Sequence, residues 1–289
     1  MNAIVRVLLA CTVLMTGAVA QAESRKVSPA ETAAIENSEI WAKVRTQLFG
    51  ARKIDRAADS LIEFDVPVRA EDAAIVPVSL RTRMIATPER FVSKLYLIID
   101  KNPSPISAVF SFTPESGRAD IETRVRVEQY TPIRAIAELN TGELYMAAHF
   151  IKASGGCSAP AGKDAEAALA NLGKMRLRVD GGVRFNEPNL AQLMISHPNT
   201  SGLAMDQVSR LYAPAYYVRS VAVSYGGKPV FSADIDFSIS ENPHFRFYFL
   251  PQTPGELKAE VVDTRDKSFV ARLAVGERSA SAATVTDAR

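Results

Sequence analysis

The chain has 289 residues, 47% apolar and 23% charged, with a formal net charge of +2. That length accommodates two domains with full cores, and the composition excludes disordered and fibrous classes. Basic and acidic residues interleave without a block of one sign, which argues against a nucleic-acid groove or an acidic polymer partner.

The first predicted element is a signal peptide, residues 1–22. Arg6 gives a positive n-region, and Val7 to Val19 is apolar but too short to span a bilayer. Ala18-Val19-Ala20 or Ala20-Gln21-Ala22 supplies the small-residue cleavage spacing. The mature chain would start near Glu23 and be exported, to the periplasm. Leu8-Leu9-Ala10-Cys11 loosely resembles a lipobox, but the apolar run between Arg6 and Cys11 is too short for one. No later segment reaches the roughly 20 apolar residues of a membrane helix, so no membrane span is expected.

Residues 23–152 read as a β-sandwich domain with a helical lead-in. Ser28-Pro29 is an N-cap followed by a proline suited to the first helical position. From about Ser38 a second helix aligns Ile40, Trp41, Val44 and Leu48 on one face, with Gly50 as its stop and Trp41 as a core anchor. The period then changes to two. Leu61 to Val68, Val76 to Leu80, Leu95 to Ile99, Ala108 to Phe112, Ile121 to Val127 and Leu144 to Phe150 alternate apolar and polar residues, as half-buried strands do. Pro67 places its strand at an edge or an end.

Residues 153–173 are small and flexible in composition and read as a linker carrying Cys157. Within it, Asp164 to Leu172 has the pattern of a short helix closed by Gly173. Alternation resumes over 174–275, a second β-sandwich domain, with Gly226-Gly227 as a hairpin turn and Phe245, Phe247 and Phe249 on one sandwich face. Residues 276–289 are polar and small and read as a disordered tail. The fold class is all-β: two β-sandwich domains with a short helical N-terminal segment.

Signal cleavage removes Cys11 and leaves Cys157 as the single mature cysteine. An unpaired thiol in an oxidising compartment is either a buried, inert packing residue or a functional one. Gly155 and Gly156 favour function on this reading. They form a supporting arm that leaves the sulfur unobstructed, about 13 Å clear of the last strand at roughly 3.3 Å per residue. Lys152 and Lys163 could raise the thiolate fraction. Such a stalk suits handling by another protein, whereas a catalytic cysteine is held beside a base. His149, eight residues upstream, is a weak candidate base, and His197 and His244 beside Pro198 and Pro243 suit turns. No HExxH, CxxC, GxSxG or phosphate-cradling loop is present, so no metal, cofactor or catalytic residue is expected.

At these residues the chain resembles SoxY and SoxZ, the two subunits of the carrier of the Sox thiosulfate-oxidising system, fused in one polypeptide. The first half is similar to SoxY in Ala70 to Val78, in Asp100 to Pro105 and in Gly155-Gly156-Cys157. The second is similar to SoxZ in His197 to Gly202, in Gly226 to Val230 and in Ser240 to Pro243. Fused carriers of this type are associated with quinoprotein (PQQ) alcohol dehydrogenase systems. The resemblance implies immunoglobulin-like sandwiches for both halves and a sulfur substrate held covalently on Cys157. It also implies delivery to partner enzymes of sulfur oxidation or of a quinoprotein dehydrogenase system, rather than catalysis by this chain. In SoxY the Gly-Gly-Cys arm is a free C-terminus, whereas here Ser158-Ala159-Pro160 follow and the chain continues. A docking or assembly module, with Cys157 incidental, and a thiol-dependent enzyme are the competing classes.

Overall fold

A computed structural model describes residues 27–58, 61–84, 86–159, 169–205, 210–276, 283–285 and 287–288. Two helices lead in, α1 (Pro29–Glu36) and α2 (Glu39–Phe49). Ser28 and Glu31 close a reciprocal capping box on α1, each side chain accepting the other's backbone N–H. Ser38 caps α2 by accepting the Trp41 N–H, and Gly50 ends it. Trp41, Val44 and Phe49 are buried, whereas Ile40 is exposed and does not share their face as expected.

Eight strands follow in the first half: β1 (Ile54–Arg56), β2 (Ile62–Asp65), β3 (Val76–Thr82), β4 (Val92–Ile99), β5 (Ile106–Phe112), β6 (Ile121–Val125), β7 (Thr131–Leu139) and β8 (Leu144–Ile151). Past the connection come β9 (Met175–Val179), β10 (Asn189–Ile195), β11 (Val218–Tyr225), β12 (Lys228–Ile235), β13 (His244–Phe249), β14 (Gly255–Asp263) and β15 (Ser268–Val275). The short β16 (Ala283–Val285) and β17 (Asp287–Ala288) close the chain. The expected all-β class with a short helical N-terminal segment holds, and the strands form two sheets without a barrel.

The two halves are not separate bodies joined by a flexible linker. One sheet runs β1-β8-β7-β4-β5-β12-β11-β14-β15-β17 and the other β16-β9-β10-β13-β6-β3-β2, so both cross from the first half to the second. The crossings are antiparallel pairs, β5 with β12 from Phe112↔Phe231 to Ala108↔Ile235, and β6 with β13 at Glu122↔Arg246 and Ile121↔Phe247. Arg246 Nη1 adds a 2.8 Å ion pair to Glu122 across the second crossing. Residues of both halves fill one continuous apolar core, including Leu80, Leu95, Phe110, Leu193, Phe245 and Val261. Apolar area removed from water stabilises by about 25 cal/mol per Å², so a core shared this way binds the halves strongly.

Three strands before the tail had no alternating signal. β7 is buried on nearly every residue because α1 and α2 cover its outer face, where Ile136 joins Trp41, Val44, Phe49, Tyr96 and Ile98 in a second cluster. With both faces covered, the apolar run is continuous. β1 is three residues long, and in β10 Gln192 is buried beside Ala191 and Leu193. The polar tail is also not wholly irregular: 283–285 pairs with β9 and 287–288 with β15, which supplies partners for otherwise open sheet edges. The expected helix over Asp164 to Leu172 lies mostly outside the described residues.

Candidate functional site

Past β8 the chain stays against the protein. Lys152 bridges to Arg69, and Ala153 is buried. The Gly155 N–H donates to Glu128 O at 2.9 Å and the Gly156 N–H to Val127 O at 3.0 Å. A Cβ on Gly156 would lie 2.0 Å from Ala73 O, so only glycine permits this approach. Gly155 has φ +82°, the left-handed region that also favours glycine.

The arm therefore does not project. Cys157 is 1% exposed, against the stalk expected from composition. The glycines admit the arm to a slot in its own protein, where unobstructed access to a foreign active site was expected. Neither apolar cluster includes Cys157, and polar side chains hold its backbone. The Glu128 carboxylate accepts three hydrogen bonds from the arm: Cys157 N–H at 2.8 Å, Ser158 N–H at 3.1 Å and the Ser158 hydroxyl at 2.8 Å. The Ser201 hydroxyl donates to the Cys157 carbonyl from the second half.

Charges around the sulfur oppose its ionisation. Burial pushes the Cys157 thiol up to about 12, Glu128 and Asp236 add to the rise, and Arg126 partly offsets it. Arg126 is buried, with Nη1 donating to Phe237 O and Ile239 O, both at 2.8 Å. Burial raises Asp236 to about 6, so it is largely ionised above neutral pH. Asn102 positions Glu128 by accepting its backbone N–H at 2.9 Å, while its own amide donates to Arg126 O and Ser238 Oγ.

Distant motifs meet here. Ala73 O accepts the Val127 N–H, the Ser240 hydroxyl donates to Ala74 O, and the 197–202 segment delivers Ser201. That segment is braced by Asn199, which donates to Ile239 O and accepts the Val218 N–H. His197 is buried, its Nδ1 accepting the Asn199 N–H and its ring against Tyr216. Burial lowers it to about 4, against the opposing pull of Asp263. Protonation is thus penalised in the folded state, and this contribution to stability is complete above pH 6.5 and drains away as the pH falls toward 4. Titration of the His197 ring proton by NMR should show a neutral imidazole down to about pH 4.

Other sequence candidates lie apart from the thiol. Lys152 pairs with Glu31 at 3.0 Å instead of assisting Cys157, and His149 packs on the Phe64 ring. Lys163 lies outside the described residues. His244 opens β13, and Gly226-Gly227 forms the β11–β12 turn. A groove of about 590 Å³ on the second sheet is lined by Arg81, Glu122, Arg124, His244 and Arg246 among others, but not by Cys157. Among the described residues no group of three His, Cys, Asp or Glu could hold a metal, and no helix is long and apolar enough to cross a membrane. Sequence reasoning missed Glu128, Arg126 and Asp236, because nothing local sets them apart from other charged residues.

Comparisons with known proteins coincide with this geometry. Residues 45–157 match the family model of sulfur oxidation protein SoxY, and residues 178–274 that of sulphur oxidation protein SoxZ. The first match ends on Cys157. No curated protein matches the chain. Among solved structures, the sulfur carrier protein SoxY from Chlorobium limicola f thiosulfatophilum is 23% identical with a TM-score of 0.35, over 44% of this chain and 100% of that one. A superoxide reductase (neelaredoxin) from Ignicoccus hospitalis is 14% identical with a TM-score of 0.29, over 39% of this chain and 88% of that one.

Proposed function

Because the chain belongs to the Sox sulfur-carrier family, with a SoxY domain and a SoxZ domain in tandem, we propose that it is an exported carrier holding a sulfur compound on Cys157 for partner enzymes. The observation that carries this reading is the convergence of motifs from both halves on one arm, whose thiol is the last residue of the SoxY match. Export to the periplasm rests on residues 1–22, which lie outside the described structure.

The arm must leave its slot to be loaded. Docking consists chiefly of hydrogen bonds, each worth about 0.5–1.5 kcal/mol net, more where a carboxylate accepts. Release of one short segment is within the range of local openings of a folded protein. Once free, the thiol has an ordinary acidity. Its thiolate can attack a sulfur–sulfur bond of a donor, forming a new Cys157 S–S bond while the donor's other sulfur departs as a thiolate. The chain supplies the attachment point, and partner enzymes supply later chemistry.

A second reading is favoured by the burial of Cys157. On it the chain is a docking or assembly module, for example for a quinoprotein (PQQ) alcohol dehydrogenase system, and the thiol only packs. Intact mass of protein purified from its native host during growth on reduced sulfur separates the two. A carrier shows added mass on wild type and none on Cys157→Ser. Reduced, unmodified wild type throughout would leave the assembly reading in its place.

A further inference from the structure

One side chain of the slot, Glu128, both holds the arm's backbone and acts on the charge of the sulfur. Its carboxylate accepts the Cys157 and Ser158 N–H groups, charge-assisted bonds that favour docking. The same charge raises the free energy of an anion on the sulfur, as does Asp236. Against these two carboxylates stands one guanidinium, Arg126, already donating to two backbone carbonyls. Ser158 and Ser201, the other side chains bonded to the arm, are neutral. The docked sulfur therefore sits in a field that accepts a neutral group and repels a negative one.

Building on the carrier reading, we propose that Glu128 is a positioning residue that sorts the arm by the charge of its cargo: a neutral thiol docks, and an anionic sulfur adduct is kept out. Unloaded carrier then hides its arm, and carrier loaded with an anionic sulfur group presents it. The consequence is directional. A partner that removes an anionic group meets an extended arm only when there is something to remove, and an unloaded arm does not compete for that partner.

Two thiol reagents of similar size and opposite charge test this on the intact chain. Sulfonatoethyl and trimethylammonioethyl methanethiosulfonate each react with the thiolate at the sulfenyl sulfur. Each forms a Cys157 disulfide and releases methanesulfinate, so bulk is nearly matched while charge is inverted. Amide hydrogen exchange of residues 153–159 reads docking. The anionic adduct should exchange about tenfold faster than the cationic one, as like-charge repulsion across a partly buried site implies. In Glu128→Gln the two adducts should converge. Asp236→Asn, which leaves the Glu128 bonds to the arm in place, should narrow the gap without closing it. Equal exchange of both adducts in wild type, or a gap undiminished in Glu128→Gln, overturns the proposal. Native protein without any adduct would sink the carrier reading and leave this charge dependence standing, so the two failures are distinguishable.

Discussion

Alkylation of Cys157 in the folded protein at pH 8 should run about a thousandfold slower than alkylation of the same thiol in denaturant. A thiol raised to about 12 is ionised in about one molecule in ten thousand at that pH, whereas a free cysteine near 9 is ionised in about a tenth. Burial to 1% exposure adds a steric barrier. The pH dependence follows from the direction of the shift. The docked state holds the thiol proton more tightly than the released arm does. Docking is therefore at full strength below the free value near 9 and weakens as the pH rises toward 12. The rise of three units corresponds to about 4 kcal/mol between the two protonation states. Glu128→Gln removes one of the two carboxylates that oppose ionisation and weakens the latch, and should accelerate alkylation at least about tenfold. Time-resolved iodoacetamide labelling read by mass checks both values. Complete labelling of wild type at the rate of unfolded chain would show that the slot does not hold the arm in solution.

Asp100→Ala should destabilise the protein by about 3–5 kcal/mol, because it leaves a buried guanidinium without its counter-charge. Arg134 and Asp100 are both fully buried, joined by Nε to Oδ1 at 2.9 Å and Nη2 to Oδ2 at 2.8 Å. Arg134 Nη2 also donates to Ile35 O in α1, and its guanidinium lies 4.8 Å from the centre of the Trp41 ring in α2. One ion pair thus anchors the helical lead-in to β7. The double variant Asp100→Leu, Arg134→Met should recover much of the loss, since an apolar pair needs no compensation. Urea denaturation of the two variants beside wild type measures this, and a loss below 1 kcal/mol for Asp100→Ala would contradict it.

Local chemistry was readable from the sequence; distant contact was not. The caps at Ser28 and Ser38 and the stop at Gly50 depend on neighbours within a turn, and each is where the pattern put it. Strands with one open face announce themselves by alternation, as β3 and β13 do. β7 does not, because helices far upstream cover its second face. The arm shows the same limit at the functional site. Glycines and small residues have one composition whether solvated or packed tightly. What decides between those states lies elsewhere: Glu128 is 29 residues upstream of Cys157 and Ser201 is 44 downstream. The presence of a lone thiol on this segment was legible, and its concealment was not.

The sheet crossings carry a consequence for how such a protein is encoded. Backbone ladders between β5 and β12 and between β6 and β13, with the common core behind them, are the forces that join the halves. The connecting peptide adds the high local concentration of one half around the other. One gene and a pair of genes would then specify the same particle. Fusion guarantees equal stoichiometry and survival at extreme dilution, and it fixes both ends of the cysteine segment, shortening the distance that segment can swing from the body.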